Sequence, residues 1–536
     1  MINPISKGKE AALRAGAELN YSRYAMRSGV LGVMSPVALA NSGLAIARWG
    51  LIGGAVGVAA ARWGDKTAVV DERGELTFAE LHKRSNALAN AWLARGLQPG
   101  EGVAILARNH RGFLDALLAA AKCGARIILL NPDFAGPQIR DVATREGTDL
   151  LVYDDEYATM LDGVTPPRGA FRAWSEDPGQ HSIEALMASA PSTAPPRPGA
   201  HAKIILLTSG TTGTPKGAPR PDPMSLAPIG GITSRVPFST NGTIEVCAPM
   251  FHTLGFAHAL LAIGMGSTMV LRRRFSPQAT LESIQRNRST GMIVAPVMLS
   301  RMLEHGVSRY DLSSLRIIFV AGAQLGADLC KRAMEAFGPV LYNMYGSTEV
   351  AYATVATPED LAAEPGCVGK PVAGSVVRIY DDDDKPAPAG VTGRIFVGNT
   401  VQFEGYTGGG TKASVDGLMA TGDVGHFDAG GRLFIDGRDD DMIVSGGENV
   451  FPGEVEELLA SHPSVVEASV LGVPDEEYGA RLKAFVVTRE TLDEDTVKQY
   501  VKQNLARYKV PREVAFVDEL PRNPSGKVLK RVLREM

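Results

Sequence analysis

Ten consecutive residues, Thr208-Ser209-Gly210-Thr211-Thr212-Gly213-Thr214-Pro215-Lys216-Gly217, gather hydroxyls, glycines and one ammonium directly after the apolar run Lys203–Leu207. That mixture suits a polyanion: glycines let the backbone come close, while N–H groups, hydroxyls and Lys216 supply donors. It is not the common P-loop, because Pro215 stands where Gly-Lys-Ser/Thr is needed after Gly210. A surface loop has the same composition. Four further segments in order point instead to chemistry on a phosphate: Tyr345-Gly346-Ser347-Thr348-Glu349, Thr421-Gly422-Asp423, Gly437-Arg438-Asp439-Asp440-Asp441 and Pro521-Arg522-Asn523-Pro524-Ser525-Gly526-Lys527. Between them they offer a hard carboxylate for a cation, a second carboxylate for hydroxyls, and two isolated cations.

Together these motifs resemble the adenylate-forming superfamily of acyl-CoA synthetases, amino-acid adenylation domains and luciferases, from about Trp63 to Met536. Ser445-Gly446-Gly447-Glu448-Asn449-Val450-Phe451-Pro452 looks most like the medium- or long-chain fatty-acyl-CoA synthetase branch. The resemblance implies ATP, CoA and Mg²⁺, and a carboxylic acid that becomes an acyl-adenylate before it becomes a thioester. It assigns Thr208, Ser209, Gly210, Thr211, Thr212, Gly213 and Lys216 to the β- and γ-phosphates, Thr348 to the α-phosphate and Glu349 to Mg²⁺. Tyr345 and Gly346, with Gly322-Ala323-Gln324, would line the adenine pocket, and Asp423 and Arg438 would hold the ribose. Lys527 would bridge carboxylate and α-phosphate, electrostatic stabilisation of developing charge. Asp440 would be the hinge on which a C-terminal domain turns, and Gly447 would let backbone lie close to pantetheine.

The acyl pocket is read from what is missing. Met250-Phe251-His252-Thr253-Leu254-Gly255-Phe256-Ala257 holds no acid to pair a substrate ammonium, and Gly346 stands where acetyl-activating relatives place a tryptophan. Both point to a fatty acid. His252 is a catalytic candidate here, with a core histidine as its alternative. A fatty acyl-AMP ligase that loads a carrier protein, and a non-catalytic nucleotide- or lipid-binding relative, remain open. Two features depart from the pattern: Pro219-Arg220-Pro221 forbids a continuous helix after the loop, and Gly408-Gly409-Gly410 reads as a loose linker.

These residues need rigid elements beneath them. Short Val/Ile-rich runs alternate with helical patterns from Gly102 onward: strands Val103–Ala107, Arg126–Leu130, Lys203–Leu207, Ile244–Ala248, Met292–Ala295 and Arg316–Val320, helices Phe113–Cys123, Pro277–Arg288 and Ala327–Phe337. Unalternated strands separated by helices predict parallel sheets covered on both faces. Ala190–Ala202, rich in Pro, Ser and Ala, reads as the connector between two such halves. After Gly366, turn-punctuated strands at Val376–Tyr380, Arg394–Val397 and Arg432–Ile435 predict a small β-barrel, with Asp381–Asp384 at a hairpin tip. The expected fold is α/β: residues 61–437 form a large domain of two layered α/β subdomains plus the barrel, residues 438–441 a hinge, and residues 442–536 a small mobile α+β domain.

Composition sets the remaining bounds. A chain of 536 residues exceeds one core. A net charge of −4 gives no general reason to bind nucleic acid. The scattered cysteines Cys123, Cys247, Cys330 and Cys367 lack metal-ligand spacing and suit a reducing, cytoplasmic setting. Residues 1–60 form an apolar helical segment, uncharged over Ser28–Ala47 and Trp49–Ala61. That length can span a bilayer, but Ser35, Pro36, Asn41 and Ser42 interrupt it. The expected fate is packing on the body, with peripheral membrane contact through residues 28–61 as the alternative. Monomer and homodimer both remain open.

Overall fold

The computed structural model describes residues 4–536 apart from 177–178, 209–215, 440–442, 446–447, 476–478, 506–508 and 524–525. The alternating pattern folds into two layered sheets. The first has the order Ala170–Trp174, Thr148–Asp154, Gly102–Leu106, Arg126–Leu129, Lys203–Thr208, Lys216–Pro221, parallel until its last, antiparallel pair. Every residue of Gly102–Leu106 is buried, as a run of Val, Ala and Ile covered on both faces requires.

The second sheet has nine strands. Its parallel centre, Leu341–Tyr345, Ile317–Val320, Gly291–Val294, Thr243–Val246 and Thr268–Val270, continues into Thr67–Asp71. Helices Phe78–Ala94, Arg111–Lys122 and Thr253–Gly264 contribute to one hydrophobic core that includes residues of both sheets. Site loops therefore emerge from strand ends that cannot shift independently.

Ala190–Ala202 does not join the two halves. Lys203–Thr208 lies beside Arg126–Leu129, so the connector is internal to the first sheet. The second sheet reaches back to Val69, which pairs with Met269. Local composition marks a connector but not which sheet its next strand joins.

The N-terminal segment forms two helices, α1 (Pro4–Arg27) and α2 (Pro36–Trp63). α2 kinks at Gly50, whose φ of 70° frees the amide of Ile52 to donate to the Asp222 carboxylate at 3.0 Å. Beyond the kink Ile52, Val56 and Ala59 are buried in the shared core. The expected boundary at residue 60 thus falls inside a core helix.

Strands Val376–Tyr380, Gly393–Gly398, Ser414–Val415, Leu418–Phe427 and Leu433–Arg438 form the five-stranded antiparallel sheet of the expected barrel region. Asp381–Asp384 sits at its hairpin tip, with the Asp381 carboxylate accepting from the amides of Asp383 and Lys385. The C-terminal domain packs helices Pro452–Ala460 and Glu494–Asn504 with the sheet Val465–Asp475, Gly479–Thr488, Glu513–Phe516 around its own core.

His258, on Thr253–Gly264, is buried against Phe238 and Phe319, and burial pushes its imidazole down to about 4 from 6.5. As pH falls through 6.5 the unfolded chain takes up this proton first. Its contribution is therefore full above about pH 6.5 and is lost as pH falls towards about 4. His258→Phe should lose less melting temperature than the wild type between neutral pH and about pH 4.5. Equal losses in scanning calorimetry would show that His258 does not set the acid limb.

Candidate active site

Tyr345 ends the strand Leu341–Tyr345, and its hydroxyl donates to Asp423 Oδ2 at 2.6 Å. Asp423 lies in Leu418–Phe427 directly opposite Arg438, whose Nη1 donates to Oδ1 at 3.1 Å. Burial pushes the Asp423 carboxyl up, while Tyr345, Arg438 and the positive charge of Lys527 pull it back. The Tyr345 phenol, buried beside that carboxylate, is held well above its ordinary range. Each oxygen of Asp423 keeps a further lone pair for a hydroxyl donor. Gly422 has φ 83°, and a Cβ there would stand 3.3 Å from Arg438 Nη2.

Glu349 lies on the loop that follows. Its carboxylate accepts from Ser347 Oγ at 2.9 Å and Tyr406 Oη at 2.8 Å, and the Lys216 ammonium stands 5.3 Å from the Tyr406 ring centre. Two hydroxyls thus orient a hard oxygen ligand, with a cation on the Tyr406 ring beside it. Among the described residues no cluster of three His, Cys, Asp or Glu side chains can hold a metal alone. Glu349 is a hard oxygen ligand of the kind that shares Mg²⁺ with phosphate oxygens.

Thr208 and Lys216 pair across the antiparallel hairpin that carries the Ser/Thr/Gly loop; Ser209, Gly210, Thr211, Thr212 and Gly213 lie outside the described residues. Gly408–Gly410 is no loose linker. Tyr406 N donates to Gly410 O at 3.0 Å and Gly409 N to Tyr406 O at 2.9 Å, a tight turn that Gly409 and Gly410 allow with φ of 86° and 83°. This turn aims Tyr406 at Glu349 and lets Thr407 N donate to Gly217 O at 2.9 Å.

The prolines flanking Arg220 occupy the edge strand Lys216–Pro221, where a missing N–H is tolerated. Arg220 itself is buried, donating through Nη1 to Val401 O at 2.7 Å and through Nη2 to Thr348 O. Burial lowers its guanidinium to about 10, and Glu349 opposes that shift. Arg220 therefore holds the Thr348–Glu349 loop from behind. In the sequence it shows only as an interruption between prolines.

His252 starts the helix Thr253–Gly264. Its Nε2 and the Thr253 hydroxyl are buried without a hydrogen-bond partner, and burial holds the imidazole down at about 4. Unpartnered buried polar atoms are rare. Here a neutral ring and a hydroxyl keep unused hydrogen-bonding capacity. Asn109, which no motif marks, holds this loop: Nδ2 donates to Val246 O and Ala248 O at 3.1 and 2.9 Å, and Oδ1 accepts from Met250 N at 2.8 Å.

Gly346 is also held to glycine by the backbone around it. A Cβ there would stand 2.0 Å from the carbonyl oxygen of Ala351, so glycine is required by close backbone approach. Gly322, Ala323 and Gln324 follow Ile317–Val320, with Gly322 at φ 95°. Gln324 Oε1 lies 3.6 Å from the Cβ position of Gly453, so this segment meets the C-terminal domain.

Lys527 completes the set. Its amide donates to Asn523 Oδ1 at 2.8 Å, and Arg522 Nη1 donates to Gly526 O at 2.6 Å, which shapes the tip. Gly526, at φ 82°, sits against Val297: a Cβ would stand 2.4 Å from Val297 Cγ1. Ala327 N also donates to Glu457 Oε1 at 3.1 Å across the two domains. The C-terminal domain is thus docked with Gly526 against Val297, and the positive charge of Lys527 is felt at the Asp423 carboxyl. Asp440 and Gly447 lie outside the described residues.

Residues 57–407 match the family described as AMP-binding enzyme, and residues 454–527 match the AMP-binding enzyme C-terminal domain. Indoleacetate–CoA ligase of Aromatoleum aromaticum is 34% identical over 88% of this chain and 95% of its own. The fatty acid–[acyl-carrier-protein] ligase ScoC of Streptomyces coeruleorubidus is 31% identical over 87% and 93%. The o-succinylbenzoate CoA synthetase MenE of Bacillus subtilis, solved with the acyl-adenylate intermediate OSB-AMP, superposes with a TM-score of 0.80 at 26% identity, covering 90% of this chain and 98% of its own.

Arg220→Met leaves two carbonyls without their donor, at about 1–3 kcal/mol each. Adenylation should slow roughly 10- to 100-fold, with partial recovery in Arg220→Lys. Pyrophosphate release at the wild-type rate in a folded Arg220→Met protein would show that the loop is held without it.

Proposed function

The chain belongs to the AMP-binding enzyme family, and from that premise we propose that it activates a medium- or long-chain fatty acid with ATP and passes the acyl group to CoA. The observation that carries this reading is the docked Lys527, whose charge reaches the Asp423 carboxyl from a separate domain. In this reading the Asp423 set is the nucleotide site and Lys527 is the adenylating cation.

A carboxylate is a poor electrophile because its leaving group would be oxide. Its oxygen attacks the α-phosphorus of ATP, a C–O–P linkage forms and pyrophosphate leaves. The CoA thiol gives its proton to solvent, its sulfur attacks the acyl carbon, and the acyl C–O bond breaks so that AMP leaves with the bonding pair. Lys527 bridges carboxylate and α-phosphate as charge develops, and Thr348 donates to the α-phosphate. Asp423 and Arg438 fix the ribose, Tyr345 and Gly322–Gln324 line the adenine pocket, and the hairpin with Lys216 holds the β- and γ-phosphates. Mg²⁺ bound at Glu349 would neutralise phosphate charge. Neutral His252 receives the carboxylate end.

The acid-free segment Met250–Ala257 supports an apolar acid. The relatives' names span fatty, indoleacetic and o-succinylbenzoic acids, so the acid is the finer part of the proposal. A carrier-protein acceptor is the second reading, favoured by the relative ScoC. The four cysteines are free, in keeping with a cytoplasmic enzyme. Pyrophosphate release over a panel of fatty and aromatic acids, with CoA or a pantetheinylated carrier as acceptor, tests both choices. Fatty acids with CoA should turn over fastest; a preference for aromatic acids or for the carrier overturns the corresponding part.

Lys527→Ala should lower acyl-adenylate formation at least ~100-fold while supplied acyl-adenylate still yields thioester with CoA. Equal loss of both half-reactions in a folded variant would contradict its assignment.

CoA must enter where Lys527 now stands, so the C-terminal domain has to turn, and we place the hinge at Asp440. Asp440→Pro fixes φ near about −65°. It should keep acyl-adenylate formation and lose thioester formation; normal thioester formation would place the hinge elsewhere.

A further inference from the structure

Thirteen large apolar side chains are exposed among the described residues, and seven of them lie between Leu19 and Leu44. They are not on a loose tail. Glu18 accepts from Ser225 Oγ and Leu226 N, Thr240 N donates to Ser28 O at 2.9 Å, and Arg62 Nη2 donates to Gly29 O at 3.1 Å. α1 buries Tyr21 and Ala25 on one face, with Ser28 buried just after it, and exposes Leu19, Arg23, Met26 and Arg27 on the other. The connection carries exposed Leu31 and Val33. The first half of α2 turns Ser42, Ala45 and Trp49 inward and Val37, Leu39 and Leu44 outward. Met224, exposed beside the Ser225 that holds Glu18, extends the same patch.

Charge selects the occupant. Residues 1–48 carry six basic and two acidic side chains, a net +4 in a chain whose total is −4. Apolar side chains beside arginines on an anchored helix fit a bilayer interface bearing anionic headgroups. A twofold contact with a second copy would bring the patch, and its arginines, against itself. Spanning is excluded by length: Pro36–Trp49 before the kink covers only ~21 Å, against a hydrocarbon core of about 30 Å, and the rest of α2 is committed to the core.

We propose that the outer face of α1, the turn after it and the first half of α2 form a docking surface for an anionic lipid bilayer. The apolar side chains enter the acyl boundary, and Arg23 and Arg27 meet phosphate headgroups. This surface differs from the expected residues 28–61 by including α1 and excluding everything beyond Gly50. α1 packs on the helix Ala227–Thr233, and the Tyr352 hydroxyl donates to Ala227 O at 2.6 Å. The membrane face is thus one helix away from the loop that carries Glu349, placed to receive an acid dissolved in lipid.

The test is co-sedimentation of full-length protein with vesicles of phosphatidylcholine alone or mixed with phosphatidylglycerol, and it reads binding without turnover. The wild type should pellet with the mixed vesicles and be released by salt or carbonate. The combined Val33→Ser, Val37→Ser, Leu39→Ser and Leu44→Ser variant should lower the bound fraction at least about tenfold. Arg23→Glu with Arg27→Glu should abolish the preference for anionic vesicles. Pyrophosphate release with a soluble acid confirms that both variants are folded. The proposal is overturned if the wild type stays in the supernatant or resists carbonate, or if the serine variant pellets like the wild type. A wild-type dimer in light scattering that the serine variant converts to monomer would overturn it equally, by assigning the face to a second copy.

Discussion

The Asp423 carboxylate cannot be buried alone, and that constraint organises the site. Desolvation raises its pKa, so the fold must bring donors to it. The donors come from separate parts of the chain: Tyr345 from the nine-stranded sheet, and Arg438 from the last barrel strand before the domain boundary. Lys527 adds its field from the C-terminal domain. The carboxylate therefore reports whether sheet, barrel and C-terminal domain are assembled. The Glu349 loop obeys the same logic on its other side, where Ser347 and Tyr406 orient the carboxylate and Arg220 holds the loop's backbone.

Much of this was legible in the sequence because the groups are chemically demanding. Six strands of the two layered sheets were predicted to within two residues, since buried parallel strands admit little but Val, Ile, Leu and Ala, whereas Leu341–Tyr345 and Leu418–Phe427, which carry Tyr345 and Asp423, were not. What escaped prediction depends on tertiary approach. Arg220 looked like an interruption and is a buried donor; Gly408–Gly410 looked loose and makes a tight turn that aims Tyr406. Asn109 carries no motif because its partners are backbone atoms 137 to 141 positions away. Gly346 was read as room for a substrate, and the structure adds a second reason for glycine, the close approach of the Ala351 and Tyr352 backbone. A glycine in a sequence records that a side chain is excluded, not what excludes it.

α2 shows how one helix can serve two environments. Its Gly- and Ala-rich composition reads as a run long enough to cross a membrane, yet Gly50 divides it. The half beyond the kink uses small residues to pack closely into the core: a Cβ at Gly53 would stand 3.2 Å from the Ala121 backbone. The half before it presents apolar side chains outward. Hydropathy averaged over the whole helix cannot separate these uses, because burial of one half comes from contacts far away in sequence.

Fold and chemistry are shared with relatives that act on different acids, so the identity of the acid lies in the pocket and not in the architecture. The central claim is that docking of the C-terminal domain builds the adenylating site and must be undone for transfer to CoA. An ideal Cβ at Gly526 lies 3.5 Å from the Cβ of Val297, within the range that a disulfide bridges. A protein carrying Val297→Cys and Gly526→Cys would lock the domain when oxidised and release it when reduced. Oxidised protein should form acyl-adenylate in a single turnover and fail to transfer it to CoA until reductant is added. Transfer at the reduced rate by the locked protein, or loss of adenylation on locking, would contradict the account.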